Sequence, residues 1–413
     1  MASVSQIPSM KATTLTVMAT RAQDQELVAE IAQSINMTDE STRSPRILPS
    51  FGWHPWFSHQ LIDDTTTPTA TTSTPQSKEN HYINVLTPSP ASDLDFIGQL
   101  PSPKLLSALL NETRERLRQF PNSLVGEVGL DKAFRLPGVW TAEEISSRDE
   151  DLTPGSREGR KLSPYKVKMD HQRTVLKAQL QLAGEMQRPV SVHSVQAHGV
   201  VFDLFKELWN GHEKIFLSRR QKEKLMDAEG ALSDDENDDE DEQRGSSKTS
   251  DVKQPLPFPP RICMHSYSGP VEPIRQFLHP SNPSDVYFSF SAVINFSGAP
   301  AKKISDVIKA LPDDRILIES DLHTAGTQMD DLLEDVARQI CQLRGWDLRA
   351  GVKQLADNWN RFRGASLGRL FISTIMEHNW RSNMLHFFGD DEQAPTTTTF
   401  DAVLKCIDQS LME

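Results

Sequence analysis

Short β-branched apolar runs alternate along this chain with stretches whose apolar residues fall at helical spacing. Thr14 to Arg21 (TLTVMATR) reads as a strand, and Asp24 caps a helix carrying Leu27, Val28, Ile31 and Ile35 on one face. Ile47 to Pro55 (ILPSFGWHP) reads as a second strand running into a loop with His54. Leu105 to Phe120 puts Leu106, Leu109, Leu110 and Leu117 on one side of a helix and charges on the other. Leu124-Val-Gly-Glu-Val-Gly-Leu-Asp131 follows: Val125, Val128 and Leu130 mark a buried strand, and Gly126 and Gly129 allow close approach to its backbone. The alternation continues with a helix over Val167 to Met186 and a strand over Val190 to Val195 (VSVHSV), then a helix over Val200 to Trp209 and a strand over Arg261 to His265 (RICMH). Val286 to Ile294 and Ile316 to Asp321 (ILIESD) are further strands, separated by a helix over Ile304 to Leu311, and Leu332 to Leu343 is an amphipathic helix.

Strand–helix alternation of this kind predicts a parallel sheet wrapped by helices. Seven strands are legible, one short of a closed barrel, while doubly wound sheets tolerate odd counts. Polar, ligand-type residues at the C-terminal ends of several strands favour the barrel, because barrel sites are built there. The expected fold is therefore α/β, a TIM-type (β/α)8 barrel lacking its first strand and carrying long insertions. Residues 1–13 are polar and featureless and are expected to be disordered. The barrel is expected over 14–357, with disordered insertions at about 63–80 (rich in Thr, Ser and Pro), 132–164 and 213–258. Aromatic residues including Trp359, Phe362, Phe371, Trp380, Phe387 and Phe388 predict packing helices over 358–413.

Composition changes this picture little. Hydrophobic residues make up 37% of the 413, which suits a real core plus unstructured insertions. Three cysteines, Cys263, Cys341 and Cys406, argue for a reducing compartment without a disulfide framework. No apolar run is long enough to cross a bilayer and no leader pattern opens the chain, so a cytoplasmic or nuclear protein with no membrane partner is expected. The net charge of −13 is concentrated in Asp234-Asp-Glu-Asn-Asp-Asp-Glu-Asp-Glu242, so it neither supports nor excludes a phosphate-bearing substrate. Arg219 to Lys224 forms a short basic cluster, and Ser233 stands before acids in a context suited to an acid-directed kinase.

Four strand ends carry Glu127, His193, His265 and Asp321. Singly, each is more simply a hydrogen-bonded structural residue or a helix cap. On four parallel strands they converge on one mouth, and imidazoles with carboxylates and no thiolate suit Zn, Mn, Mg, Fe or Ni. The matching chemistry is metal-assisted hydrolysis.

GEVGLD, VSVHS, CMHSYSG and IESDLH, in that order on successive strands, resemble the TatD family of metal-dependent deoxyribonucleases, which are amidohydrolase-like (β/α)8 barrels. The resemblance implies that Glu127 bridges two metals, that His193 and His265 are ligands, and that Asp321 is a ligand or takes the proton of the attacking water. Gly52-Trp-His-Pro55 resembles the family's G-x-H-P segment and makes His54 a candidate for lining the pocket. Ser266, Ser268 and His323 stand where substrate phosphate would be held, Asp131 is assigned a role behind the ligands or as a helix cap, and Cys263 is assigned to packing. The acid-rich insertion and divergent C-terminus resemble a fungal branch described as partners of an anaphase-promoting-complex subunit.

One departure stands out. TatD-like chains open with a strand ending in His-x-His, and none of the twelve histidines here lies two positions from another. Either the start codon is placed too late, leaving Met1 in the loop after strand one, or the strand is lost. The chain as written is expected to hold one divalent ion (Zn, Mg or Mn) where the family holds two. The leading expectation is a phosphodiester hydrolase, an exonuclease-type deoxyribonuclease with weak or absent turnover on DNA. The alternatives are a barrel hydrolase of another ester or amide, and a non-catalytic cell-cycle interaction protein.

Overall fold

The computed structural model describes residues 3–38, 45–65, 75–146, 160–215, 255–297, 301–364 and 401–405. Eight strands close a barrel: β1 (Thr14–Met18), β2 (Ile47–Phe51), β3 (Leu124–Asp131), β4 (Val190–Val195), β5 (Arg261–Met264), β6 (Asp285–Ser291), β7 (Ile316–Glu319) and β8 (Asp401–Lys405). Each strand lies beside its neighbour in sequence, β8 returns to β1, and every pairing is parallel. The apolar runs become these strands because both faces are covered. All five residues of β1, all five of β2 and all eight of β3 are buried.

The seven strands read from the sequence are present, and the barrel order is the one expected. The eighth position is filled from the far end of the chain. Asp401–Lys405, expected to be helical, is a strand that pairs with β1 from Thr14↔Asp401 to Met18↔Lys405 and with β7 at Glu319↔Val403. Among the described residues no strand precedes β1. Val4–Ser9 instead forms a 3-10 turn, so the expectation of a disordered N-terminus is corrected. Ile7 and Met10, three residues apart, are buried, and the Lys11 and Ala12 N–H groups donate to the Asp330 carboxylate at 2.7 and 3.1 Å.

Helices α1 (Ala22–Thr38), α2 (Pro75–Val85), α3 (Leu94–Gln99), α4 (Leu106–Gln119), α5 (Met169–Glu185), α6 (His198–Trp209), α7 (Ala301–Ala310), α8 (Thr327–Arg344) and α9 (Leu348–Arg363) surround or extend the barrel. Val28 of α1, Leu180 of α5, Phe205 of α6 and Val336 of α8 belong to one continuous core with the strands. The boundary expected at 358 falls inside α9, whose Trp359 and Phe362 pack with Leu124, Tyr287 and Leu317. The Asn358 amide ties α9 to the barrel by donating to Ile316 O at 2.9 Å.

Parts of the expected insertions are folded. Tyr82, Val85 and Leu86 form a second small core with Phe96, Ile97, Leu136, Tyr165 and Val167, drawing in both ends of the 132–164 insertion and the chain just past the 63–80 one. Phe258 is buried, and a Cβ on Gly184 of α5 would meet Leu256 O at 2.3 Å, so the end of the third insertion lies tight against that helix. The acidic run, the Arg219 to Lys224 cluster, Ser233, Cys406 and the aromatics from Phe371 to Phe388 lie outside the described residues. Cys263 and Cys341 are buried free thiols, and among the described residues no helix is long and apolar enough to cross a membrane.

Candidate metal centre

The geometry begins with the two glycines of β3. Gly126 (φ +155°) and Gly129 (φ +154°) adopt backbone that side chains rarely reach. At Gly129 a Cβ would stand 2.0 Å from His193 O, so β3 and β4 approach as only glycine allows. The β3–β4 register shifts between Val125 and Val128, and within that irregularity the Glu127 N–H donates to Ala19 O at 3.1 Å, just past β1. Ser50 Oγ secures the preceding carbonyl, donating to Gly126 O at 3.0 Å. Glu127 is fully buried at the barrel mouth.

Three imidazoles converge on it. His193 Nδ1 lies 3.0 Å from Glu127 Oε1, His54 Nε2 3.6 Å and His265 Nε2 4.0 Å. Asp321, held at φ +57° just beyond β7, brings Oδ1 to 3.5 Å from His265 Nε2. The Glu127, His193, His265 and Asp321 named from the sequence are thus brought together, and His54 joins them. One ligand atom from each of His54, Glu127 and His193 lies within 4.8 Å of the others. Tetrahedral zinc at ~2.0–2.1 Å spaces adjacent donors by about 3.3 Å, so these separations match those around a bound ion.

A further set of contacts orients the imidazoles. His193 Nε2 is 3.3 Å from Asp131 Oδ2, which also accepts from Trp56 Nε1 at 2.6 Å. Burial raises the Asp131 carboxyl pKa, but His193, Trp56 and the Phe134 N–H outweigh it and hold the group well below the usual carboxylate range. His265 Nδ1 donates to Glu319 Oε2 at 2.8 Å. Glu319 also accepts from Ser289 Oγ at 2.6 Å and from Ser266 Oγ. His54 caps the 3-10 turn Pro55–Gln60, its Nδ1 accepting from Trp56 N at 3.3 Å. Next to the mouth, His198 is shifted down to about 4 by burial, then by Lys303 and His193.

Four carboxylates, Glu127, Asp131, Glu319 and Asp321, are each at most 7% exposed in this one group. Burying that much negative charge is costly unless cations offset it, and a divalent ion among these oxygens and imidazoles would do so.

The remaining sequence candidates fall elsewhere. Ser266 faces Glu319 inside the wall. Ser268 is exposed, its carbonyl 3.5 Å from Lys303 Nζ, and His323 is exposed. Cys263 is buried and donates to Ser289 Oγ at 3.3 Å; burial and then Glu319 push its thiol far up, which makes it inert packing. Two residues escaped the sequence reading. Glu319 had a signal, a carboxylate inside the apolar run ILIE like Glu127 in LVGE. Trp56 had only its place after Gly52-Trp-His-Pro55.

The profile of a family described as TatD related DNase matches residues 4–364. Cut9-interacting protein scn1 of Schizosaccharomyces pombe is 35% identical over 349 residues, covering 84% of this chain and 90% of that protein. An uncharacterized deoxyribonuclease of Saccharomyces cerevisiae is 26% identical over 290 residues, covering 69% of each. Among solved structures, a TatD homologue from Escherichia coli is 16% identical with a TM-score of 0.43, covering 87% of this chain and 90% of that one. An uncharacterized amidohydrolase from Saccharomyces cerevisiae is 12% identical with a TM-score of 0.47, covering 87% and 91%.

Proposed function

The chain belongs to the TatD-related DNase family, and from that premise we propose that it is a metal-dependent phosphodiester hydrolase acting on DNA. The observation that carries this reading is the burial of four carboxylates around three imidazoles at one barrel mouth. Glu127, His193, His265 and Asp321 are the residues that would hold the ion. When bound, a divalent ion lowers the pKa of a water and offsets charge on a phosphoryl oxygen.

The chain's own residues supply the rest. Asp321 takes the proton of the attacking water, and Asp131 and Glu319 keep His193 and His265 facing inward. His54, with Nδ1 accepting from the Trp56 N–H, carries its proton on Nε2 and turns it toward Glu127. It therefore lines the pocket, and it offers an ion a ligand nitrogen only if its Nε2 proton is given up. Without a His-x-His pair the reading is of one well-held ion and slow turnover. The test is cleavage of single-stranded and duplex DNA ends with Zn, Mn or Mg supplied. Slow cleavage that ends in Glu127→Gln, and falls about 10²–10⁴-fold in Asp321→Asn, supports the reading. Cleavage undiminished by either substitution, or none with any of these ions, overturns it.

A second reading has its own support. A relative at 35% identity is named for interacting with Cut9, so a protein-binding role on the same barrel is proposed beside the hydrolytic one. Pulldown with the Cut9 counterpart tests it: retention by both the wild type and Glu127→Gln supports a role separate from the metal centre, and no retention by either removes it.

A further inference from the structure

We propose that Glu319 is a positioning residue that sets the tautomer and ring orientation of His265. The inference rests on the metal-centre reading above and names a carboxylate behind that site. Glu319 ends β7 and is fully buried. Its carboxylate accepts from His265 Nδ1 at 2.8 Å, from Ser289 Oγ of β6 at 2.6 Å, and from Ser266 Oγ just past β5. One carboxylate thereby ties together the C-terminal ends of three consecutive strands, from inside the barrel wall.

The chemistry follows from the proton count. A neutral imidazole carries one N–H, and a carboxylate facing Nδ1 places it there. Nε2 is then a lone pair, aimed at Asp321 Oδ1 (3.5 Å) and Glu127 Oε1 (4.0 Å). With the Nδ1 proton held by Glu319, Nε2 is the nitrogen available to bind an ion placed between it and the two carboxylates; with the proton on Nε2 alone it is only a hydrogen-bond donor. His54 shows the opposite pattern: its Nδ1 accepts a backbone N–H, leaving the proton on Nε2. The partner behind each ring thus sets whether the nitrogen facing the pocket carries the proton, and for His265 that partner is Glu319.

Selective 15N-histidine labelling with long-range 1H–15N spectra of the metal-free full chain reads the tautomer directly, with His265→Gln identifying the resonance. Zinc titration by calorimetry reads the consequence. The wild type is expected to carry the His265 proton on Nδ1. In Glu319→Gln one acceptor oxygen becomes a donor N–H₂ and three donors are left to share the other oxygen, so the tautomer becomes mixed and zinc affinity falls about 10–100-fold. Ser289→Ala, which loosens Glu319 without removing its charge, shifts both in the same direction by less, and it serves if Glu319→Gln does not fold. A wild-type His265 with no proton on Nδ1, or unchanged Nδ1 protonation and zinc affinity in the variants, overturns the inference. A wild-type Nδ1 proton lost in Glu319→Gln, with no zinc uptake by the wild type, upholds the positioning role and overturns the proposed metal centre instead.

Discussion

At Gly129 a single hydrogen atom in place of a side chain decides whether the site can form. Its φ of +154° and the 2.0 Å approach of His193 O to a hypothetical Cβ mean that Gly129→Ala must push β3 from β4. The expected result is a loss of about 3 kcal/mol or more, measured by denaturant unfolding, with loss of metal affinity in whatever still folds. Glu127, His193, His265 and Asp321 were legible as polar residues closing apolar runs, because a parallel strand buried on both faces has few other reasons to carry them. Their grouping needed the barrel. Ser266 was legible as a neighbour of the site, but its hydroxyl turns to Glu319, and that contact depends on a strand more than fifty residues away. The orienting roles of Glu319 and Trp56 follow from distances that no spacing in the sequence encodes.

At the scale of elements, the small second core beside the barrel carries its own sensitivity to acid. His59 is shifted down to about 3 by burial, then by His81 and His171, and His81 is shifted down to about 4 by burial, then by His171 despite its hydrogen bond to His59 O. These groups stay neutral in the folded chain and protonate near 6.5 when it unfolds. Their contribution is therefore complete above pH 6.5 and is lost as pH falls from there toward about 4 and 3, by up to ~1.4 kcal/mol per pH unit for each histidine. Urea midpoints between pH 7 and 4.5 check this: the midpoint should fall with pH, and His81→Gln should flatten the fall. The barrel strands could be read because each is a contiguous apolar run. The helix Pro75–Val85 could not, since it begins beside a Thr- and Ser-rich stretch and is buried against residues as distant as Leu136 and Tyr165. Nor could β8, whose five residues find their partner in β1 at the opposite end of the chain.

Across the whole molecule, the proposed metal centre would be thermodynamically linked to the folding of the barrel. An ion that binds only the folded chain stabilises it by about 2.7 kcal/mol at one hundred times its Kd. Zinc or manganese should accordingly raise Tm by several degrees, and a chelator should return it to the metal-free value. Glu127→Gln should abolish the shift. A cation would offset the charge of the buried carboxylates, so the most direct measurement is elemental analysis of the purified full chain after dialysis. Close to one divalent ion per chain is expected in the wild type and none in Glu127→Gln. A wild type that retains no ion, or a Glu127→Gln chain that retains as much as the wild type, would contradict the proposed metal centre.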